Sequence, residues 1–110
     1  MMKGINNNNK GLIWASVALD ATAGAQSVTA TLPGGASGKP KILKAGGAVS
    51  ALVTLQYGNN QEITAIVNPN APADSVEIPS QASGVTQSVA LNVNASAAGY
   101  VYIAVGFQPI

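Results

Sequence analysis

Residues 49–67 carry the sequence VSALVTLQYGNNQEITAIV, and this stretch decides the fold class. Apolar residues occupy every odd position from 49 to 57, and apart from Leu52 the residues between them are polar. A period of two is that of a strand with one buried face, because successive side chains of a strand point to opposite faces. Residues 61–67 repeat the alternation after a short loop of Gly and Asn. The stretch therefore predicts a β-hairpin.

The same period continues on both sides of this hairpin. Residues 89–94 and 100–107 alternate clearly, and four weaker strands are expected at residues 12–19, 26–32, 41–45 and 75–78. Eight short strands without a persistent helical segment predict an all-β chain. We expect a single antiparallel β-sandwich, of jelly-roll or Ig-like type, over residues 11–110. The connections are expected to hold Pro33, Pro40, Pro69, Pro72 and Pro79, where a missing N–H costs nothing.

The first ten residues, MMKGINNNNK, have no strand pattern and no core of their own. Chain ends of this kind are ordered only when something ties them down, and Asn side chains offer both donors and acceptors to a partner. We therefore expect residues 1–10 to form an N-terminal arm that lies against another chain. Its expected contact residues are Met1, Met2, Lys3, Ile5, Asn6, Asn7 and Lys10.

Residues 1–25 imitate a secretory signal, but the four consecutive asparagines make an unusual n-region, so we expect no cleavage. The longest apolar run, residues 12–19, is broken by Ser16 and is far shorter than a membrane span needs. We therefore expect no membrane segment.

The composition argues against an enzyme. Charged residues make up 8% of the chain, against about 25% in typical domains, and His, Cys and Arg are absent. Nucleophile–histidine pairs and zinc sites with thiolate or imidazole ligands are thereby excluded. Residues 34–40, GGASGKP, resemble a phosphate loop, but one residue is missing and Pro40 stands where the Mg²⁺-binding hydroxyl belongs. We expect no catalysis, no cofactor and no metal, although a calcium site at Asp74 is conceivable.

Lys39, Lys41 and Lys44 form the only charge cluster. With no Arg and a net charge of +1, the electrostatic signature of a nucleic-acid binder is missing. A few salt-sensitive contacts to an acidic protein surface fit the cluster better than nucleic acid does. The simplest interpretation is that these lysines protect an edge strand from pairing with other chains.

Tyr100 and Tyr102 lie on the polar face of the last strand, so we expect both to be exposed or to lie at an interface. Sugar binding by stacking could use such a pair, but packing on a sheet surface or a protein contact is the simpler reading.

This small all-β chain, poor in charge, rich in Ala and Gly, with a surface of Asn, Gln, Ser and Thr, resembles the small β-sandwich decoration, or cement, proteins of tailed-phage capsids. The resemblance is one of composition and length over the whole chain. It implies a virion structural protein, made in the host cytoplasm, that binds the outer surface of the phage head and stabilises it. It also implies a homo-oligomer, most often a trimer, in contact with the major capsid protein or another virion protein. The alternative is a carbohydrate-binding or adhesion module of a virion or cell surface, which would use Trp14, Tyr57, Tyr100 or Tyr102 as a platform.

Overall fold

The structure is a computed structural model that describes residues 11–58, 61–79 and 84–109. Its strands, in chain order, are β1 (Ile13–Ala21), β2 (Gly24–Thr31), β3 (Gly38–Gly47), β4 (Ala51–Gly58), β5 (Gln61–Val67), β6 (Asp74–Glu77), β7 (Ser88–Ala95) and β8 (Gly99–Pro109). A short 3-10 turn, Pro33–Gly35, precedes β3. All eight expected strands are present. In the part of the chain that is described, no helix is long and apolar enough to cross a membrane.

The strands form two four-stranded antiparallel sheets, so the predicted β-sandwich is confirmed. The first sheet has the order β1-β8-β3-β6, and the second has the order β2-β7-β4-β5. Strand β1 thus pairs with β8, β2 with β7, β3 with β6 and β4 with β5. The chain folds back on itself around the β4–β5 hairpin, and its first half pairs with its second. This order is that of a jelly roll, one of the two sandwich types expected.

The core lies between the sheets and consists of the inward-facing apolar residues that the alternation indicated. Phe107, Leu43, Leu55 and Ile103 are among the largest side chains that are fully buried there. Each such side chain contributes about 1.5–3 kcal/mol relative to an exposed position. No buried residue in the described ranges is polar or charged, so apolar packing dominates the interior.

The two sheets are aligned so that their strands end together. At one end, which we call the corner end, the short links 22–23, 48–50 and 96–98 carry the chain from one sheet to the other. At the opposite end Gly38, the first residue of β3, exchanges backbone hydrogen bonds of 3.0 and 2.8 Å with Thr86, just before β7. Strands β3 and β7 therefore run in the same direction. Because β1 runs with β3 and β2 runs against β7, β1 and β2 are antiparallel neighbours in opposite sheets.

Three local expectations are corrected. Val49 precedes β4, which begins at Ala51. Pro40 lies buried inside β3 rather than in a connection, at a register shift between β3 and β8 where the regular ladder is interrupted. The strand with the three lysines is not an edge, because β6 pairs with residues 42–45 of β3. Pro69, Pro72 and Pro79 do lie in connections, as expected, and Pro33 begins the 3-10 turn.

Candidate functional site

The outer surface of the β1-β8-β3-β6 sheet carries three exposed aromatic side chains. Trp14 on β1 and Tyr100 and Tyr102 on β8 are 38%, 46% and 39% exposed. The two tyrosine ring centroids lie 6.1 Å apart with their planes tilted by 35°. Ile42 and Lys44 of β3 face the same side. We call these five residues the aromatic face.

Two glycines allow the large side chains of the aromatic face to pack flat against the sheet. A Cβ added at Gly46, which pairs with Tyr102, would lie 2.5 Å from the Tyr102 hydroxyl oxygen. A Cβ added at Gly106 would lie 2.7 Å from Leu12 Cδ1, 2.8 Å from Ile42 Cγ2 and 3.0 Å from Trp14 Cη2. Neighbouring side chains fill the space above Gly46 and Gly106, so a larger residue does not fit at either position.

Lys44 is part of the aromatic face rather than a free surface cation. Its Nζ lies 5.2 Å from the centroid of the Trp14 ring, within cation–π range. Trp14 on β1 pairs with Gly106 of β8, and Lys44 on β3 pairs with Ala104, two residues before Gly106. Only these small residues of β8 therefore lie between the two side chains. At such an exposed site the contact contributes about 0.5–1 kcal/mol.

The other outer surface, on the β2-β7-β4-β5 sheet, is mostly polar. It presents side chains of Ser, Thr, Asn and Gln, and the hydroxyls of Thr54 and Thr64 lie 3.1 Å apart across β4 and β5. Its apolar exception is the cross-strand pair Leu52 and Ile66, which are 47% and 60% exposed. The molecule therefore has one aromatic side and one polar side.

The structure confirms that Tyr100 and Tyr102 are exposed and places them together. Trp14, expected only as a platform residue of the carbohydrate-binding alternative, lies on the same surface, because alternation along residues 12–19 puts it opposite the buried Ala15. Tyr57, another candidate for that platform, is partly buried against the core. The predicted contacts Met1, Met2, Lys3, Ile5, Asn6, Asn7 and Lys10 lie outside the described residues. The described chain begins at Gly11. The side chain of the next residue, Leu12, packs over Gly106 beside Trp14. The described chain thus begins at the border of the aromatic face.

The acidic residues are not arranged for catalysis in the described ranges. No three of them come together there in a group that could hold a metal ion. Asp74, the conceivable calcium ligand, uses both carboxylate oxygens on the backbone, accepting hydrogen bonds from Ile66 N–H at 2.9 Å and Ser75 N–H at 3.0 Å. The expected absence of catalysis, metal and cofactor stays a prediction.

Similarity to known proteins does not indicate a function for this chain. Neither the protein-family models nor the curated protein sequences contain a match to this chain.

Proposed function

We propose that this protein is a non-enzymatic structural component of a virion that binds the outside of a phage head as a homo-oligomer and strengthens it. The aromatic face makes the contact with the underlying shell protein. A trimer is the form that the resemblance to decoration proteins favours.

The observation that carries the proposal is the aromatic face. Trp and Tyr are enriched in protein interfaces, and they dominate binding energy where they are covered by a partner. Trp14, Tyr100 and Tyr102 lie on one sheet surface. Asp20, Lys39, Lys44 and Glu77 face the same side, so charged side chains surround the exposed aromatic residues. Exposed aromatic residues with polar and charged neighbours fit a protein partner.

The start of the described chain supports the same direction of attachment. Leu12, the second described residue, lies beside Trp14. An arm that leaves from the border of the aromatic face can reach the same partner as the face does. We therefore propose that the arm and the face bind one underlying surface.

The fold is compatible with this function without deciding it. Jelly rolls occur in viral capsid proteins and also in lectin domains, and a fold by itself does not determine a function. The lack of His, Cys and Arg in the chain leaves few groups for acid–base or nucleophilic catalysis.

A co-sedimentation experiment tests the proposal. Purified protein is mixed with particles of the phage that encodes it, prepared without the protein, and the pellet is assayed. We expect saturable binding at a fixed number of copies per particle, lost when Trp14→Ala and Tyr102→Ala are combined. Leu52→Ala with Ile66→Ala, on the polar side, is the matched control and should bind like the original. Absence of saturable binding would contradict the proposal.

A second function rests on one specific observation. Tyr100 and Tyr102 are exposed side by side, and Trp14 lies on the same surface, so aromatic rings are available for stacking on a sugar. In this carbohydrate-binding or adhesion function, the isolated protein binds a defined glycan on an array, and Tyr102→Ala removes that binding. Glycan binding without particle binding would favour this alternative.

A further inference from the structure

We propose that copies of this chain join through their edge strands, with β1 of one copy pairing antiparallel with β2 of the next copy. The inference rests on the homo-oligomer of the proposed function and names the strands that form it. Strands β1 and β2 are edges of the two sheets and touch each other, so they form one side of the sandwich, which we call the open side. Strands β5 and β6 form the other, closed side.

The closed side carries features that hinder strand addition. Strand β6 has only four residues, and prolines at positions 69, 72 and 79 lie in the chain around it. The Asp74 carboxylate accepts the N–H of Ile66, so one donor of the edge strand β5 is already bonded. Short strands, prolines and charged side chains are the usual means by which proteins protect an edge.

The open side lacks these features. Strands β1 and β2 have nine and eight residues, with no Pro and no Lys, and Asp20 is their only charged residue. Within the described residues, no strand pairs with the outer edge of either one. Long unprotected edges of this kind are templates for pairing with another chain. The contrast between the two sides of one molecule points to the open side as the contact.

Apolar side chains at both sides of the sandwich are only partly covered: Ile63 and Val76 on the closed side, and a longer row of them on the open side. Ile13, Val17, Leu19 and Val28 face the interior and pack against the core, yet they are only partly buried. Inward-facing residues of the central strands, such as Val53 and Val105, are fully buried. A second sandwich placed against the open side would cover these four side chains and continue the core from one copy into the next.

Strand direction and side-chain parity fit a second copy of the same chain. Because β1 and β2 are antiparallel within one copy, rotation about an axis parallel to the strands brings β1 of one copy antiparallel to β2 of another. Counted from the corner end, Val17 then lies beside Val28 and Ser16 beside Thr29. Inward residues meet inward residues, and exposed residues meet exposed ones. Asp20, the only charged residue of β1 and β2, then lies opposite Ala25 of the other copy and not opposite the other copy's Asp20.

The proposed β1–β2 pairing states which strands meet. The number of copies in the oligomer depends on the angle between neighbouring sandwiches. With two copies the sheets continue straight into each other. With three copies each joint bends, and the six edge strands close a ring around the axis. Both forms are closed, which is the usual rule for homo-oligomers.

Paired cysteines test the strand contact directly, because the chain contains no cysteine of its own. Ser16→Cys and Thr29→Cys are combined in the full chain, which is then oxidised with copper phenanthroline and analysed by denaturing electrophoresis. Side chains opposite each other on paired strands have Cβ atoms about 4.5–5.5 Å apart, close to disulfide geometry. Within one copy the two residues lie on opposite outer surfaces, so a bond between them must join two copies. We expect most chains to shift to covalent dimers or trimers.

Four controls make the result decisive. Each single variant alone should stay uncrosslinked, and crosslinking of Ser16→Cys alone at the level of the pair would mean that β1 meets β1, which overturns the proposal. Ser75→Cys with Thr64→Cys, on the closed side, should stay monomeric on the denaturing gel. Ala18→Cys with Ser27→Cys is a second open-side pair and should crosslink like the first.

Native mass spectrometry of the unmodified chain completes the test. A monomer at every concentration, or an oligomer whose two open-side cysteine pairs do not crosslink, overturns the strand contact. Crosslinked oligomers that fail to co-sediment with particles leave the strand contact standing and contradict the proposed function.

Discussion

Gly106, in the second half of β8, has a defined packing role. It is the residue over which Leu12, Ile42 and Trp14 converge, so its missing side chain is part of the aromatic face. Alternation along residues 100–107 predicts which side of β8 Gly106 faces, and the buried faces of most strands could be predicted in the same way. The convergence of three strands on one glycine could not be, because it depends on long-range pairing of β1 and β3 with β8.

Gly106→Val should destabilise the protein by about 1–3 kcal/mol, because its side chain would overlap atoms that already fill the space. Denaturant unfolding measures the loss. Trp14, the only tryptophan, should also change its fluorescence spectrum, since its ring must move. Gly84→Ala is the control, because a Cβ there meets nothing within 4 Å. Equal stability of Gly106→Val and the original chain would contradict this packing.

Asp74 shows how one side chain can connect two elements. It begins β6 in one sheet and bonds the N–H of Ile66 on β5 in the other. Asp74→Ala removes a charge-assisted hydrogen bond and should cost about 1–3 kcal/mol. Asp74→Asn keeps one carbonyl acceptor and should cost less. Urea unfolding should rank the alanine variant below the asparagine variant, while Glu77→Gln, exposed on the same strand, stays within about 0.5 kcal/mol of the original. The reverse ranking would contradict the bond.

At the level of elements, the sequence predicts strand positions better than strand neighbours. All eight strands follow from alternation and from Gly, Pro and Asn between them, because these are local signals. The pairing of β6 with β3 joins residues about thirty positions apart. No local signal marks it, and for that reason the lysine strand was wrongly interpreted as an edge. Pro40 was wrongly expected in a connection for the same reason. The register shift that accommodates it inside β3 depends on the pairing with β8.

The arm and the sandwich should be separable in the whole molecule. Deleting residues 1–9 should leave the thermal unfolding temperature nearly unchanged, because the described core consists of residues from position 15 onward. The same deletion should weaken attachment to particles, which co-sedimentation measures. A truncated chain that binds particles as tightly as the full chain would show that the arm is not part of the attachment.

The aromatic face should contribute most of the binding energy of the whole molecule. We expect Trp14→Ala and Tyr102→Ala each to weaken particle binding by about tenfold or more, as truncation of central aromatic residues commonly does. Circular dichroism of each variant controls for folding. Loss of affinity from Leu52→Ala, with no loss from either aromatic variant, would assign the contact to the opposite sheet.

The central claim is that the protein is a stoichiometric part of a virion. The most direct measurement is quantitative mass spectrometry of gradient-purified particles from cells infected with the phage that encodes the chain. We predict that the chain is recovered in the particle band at a constant ratio to the main shell protein across independent preparations. Its absence from that band, with all of the chain in the particle-free fractions, would contradict the claim.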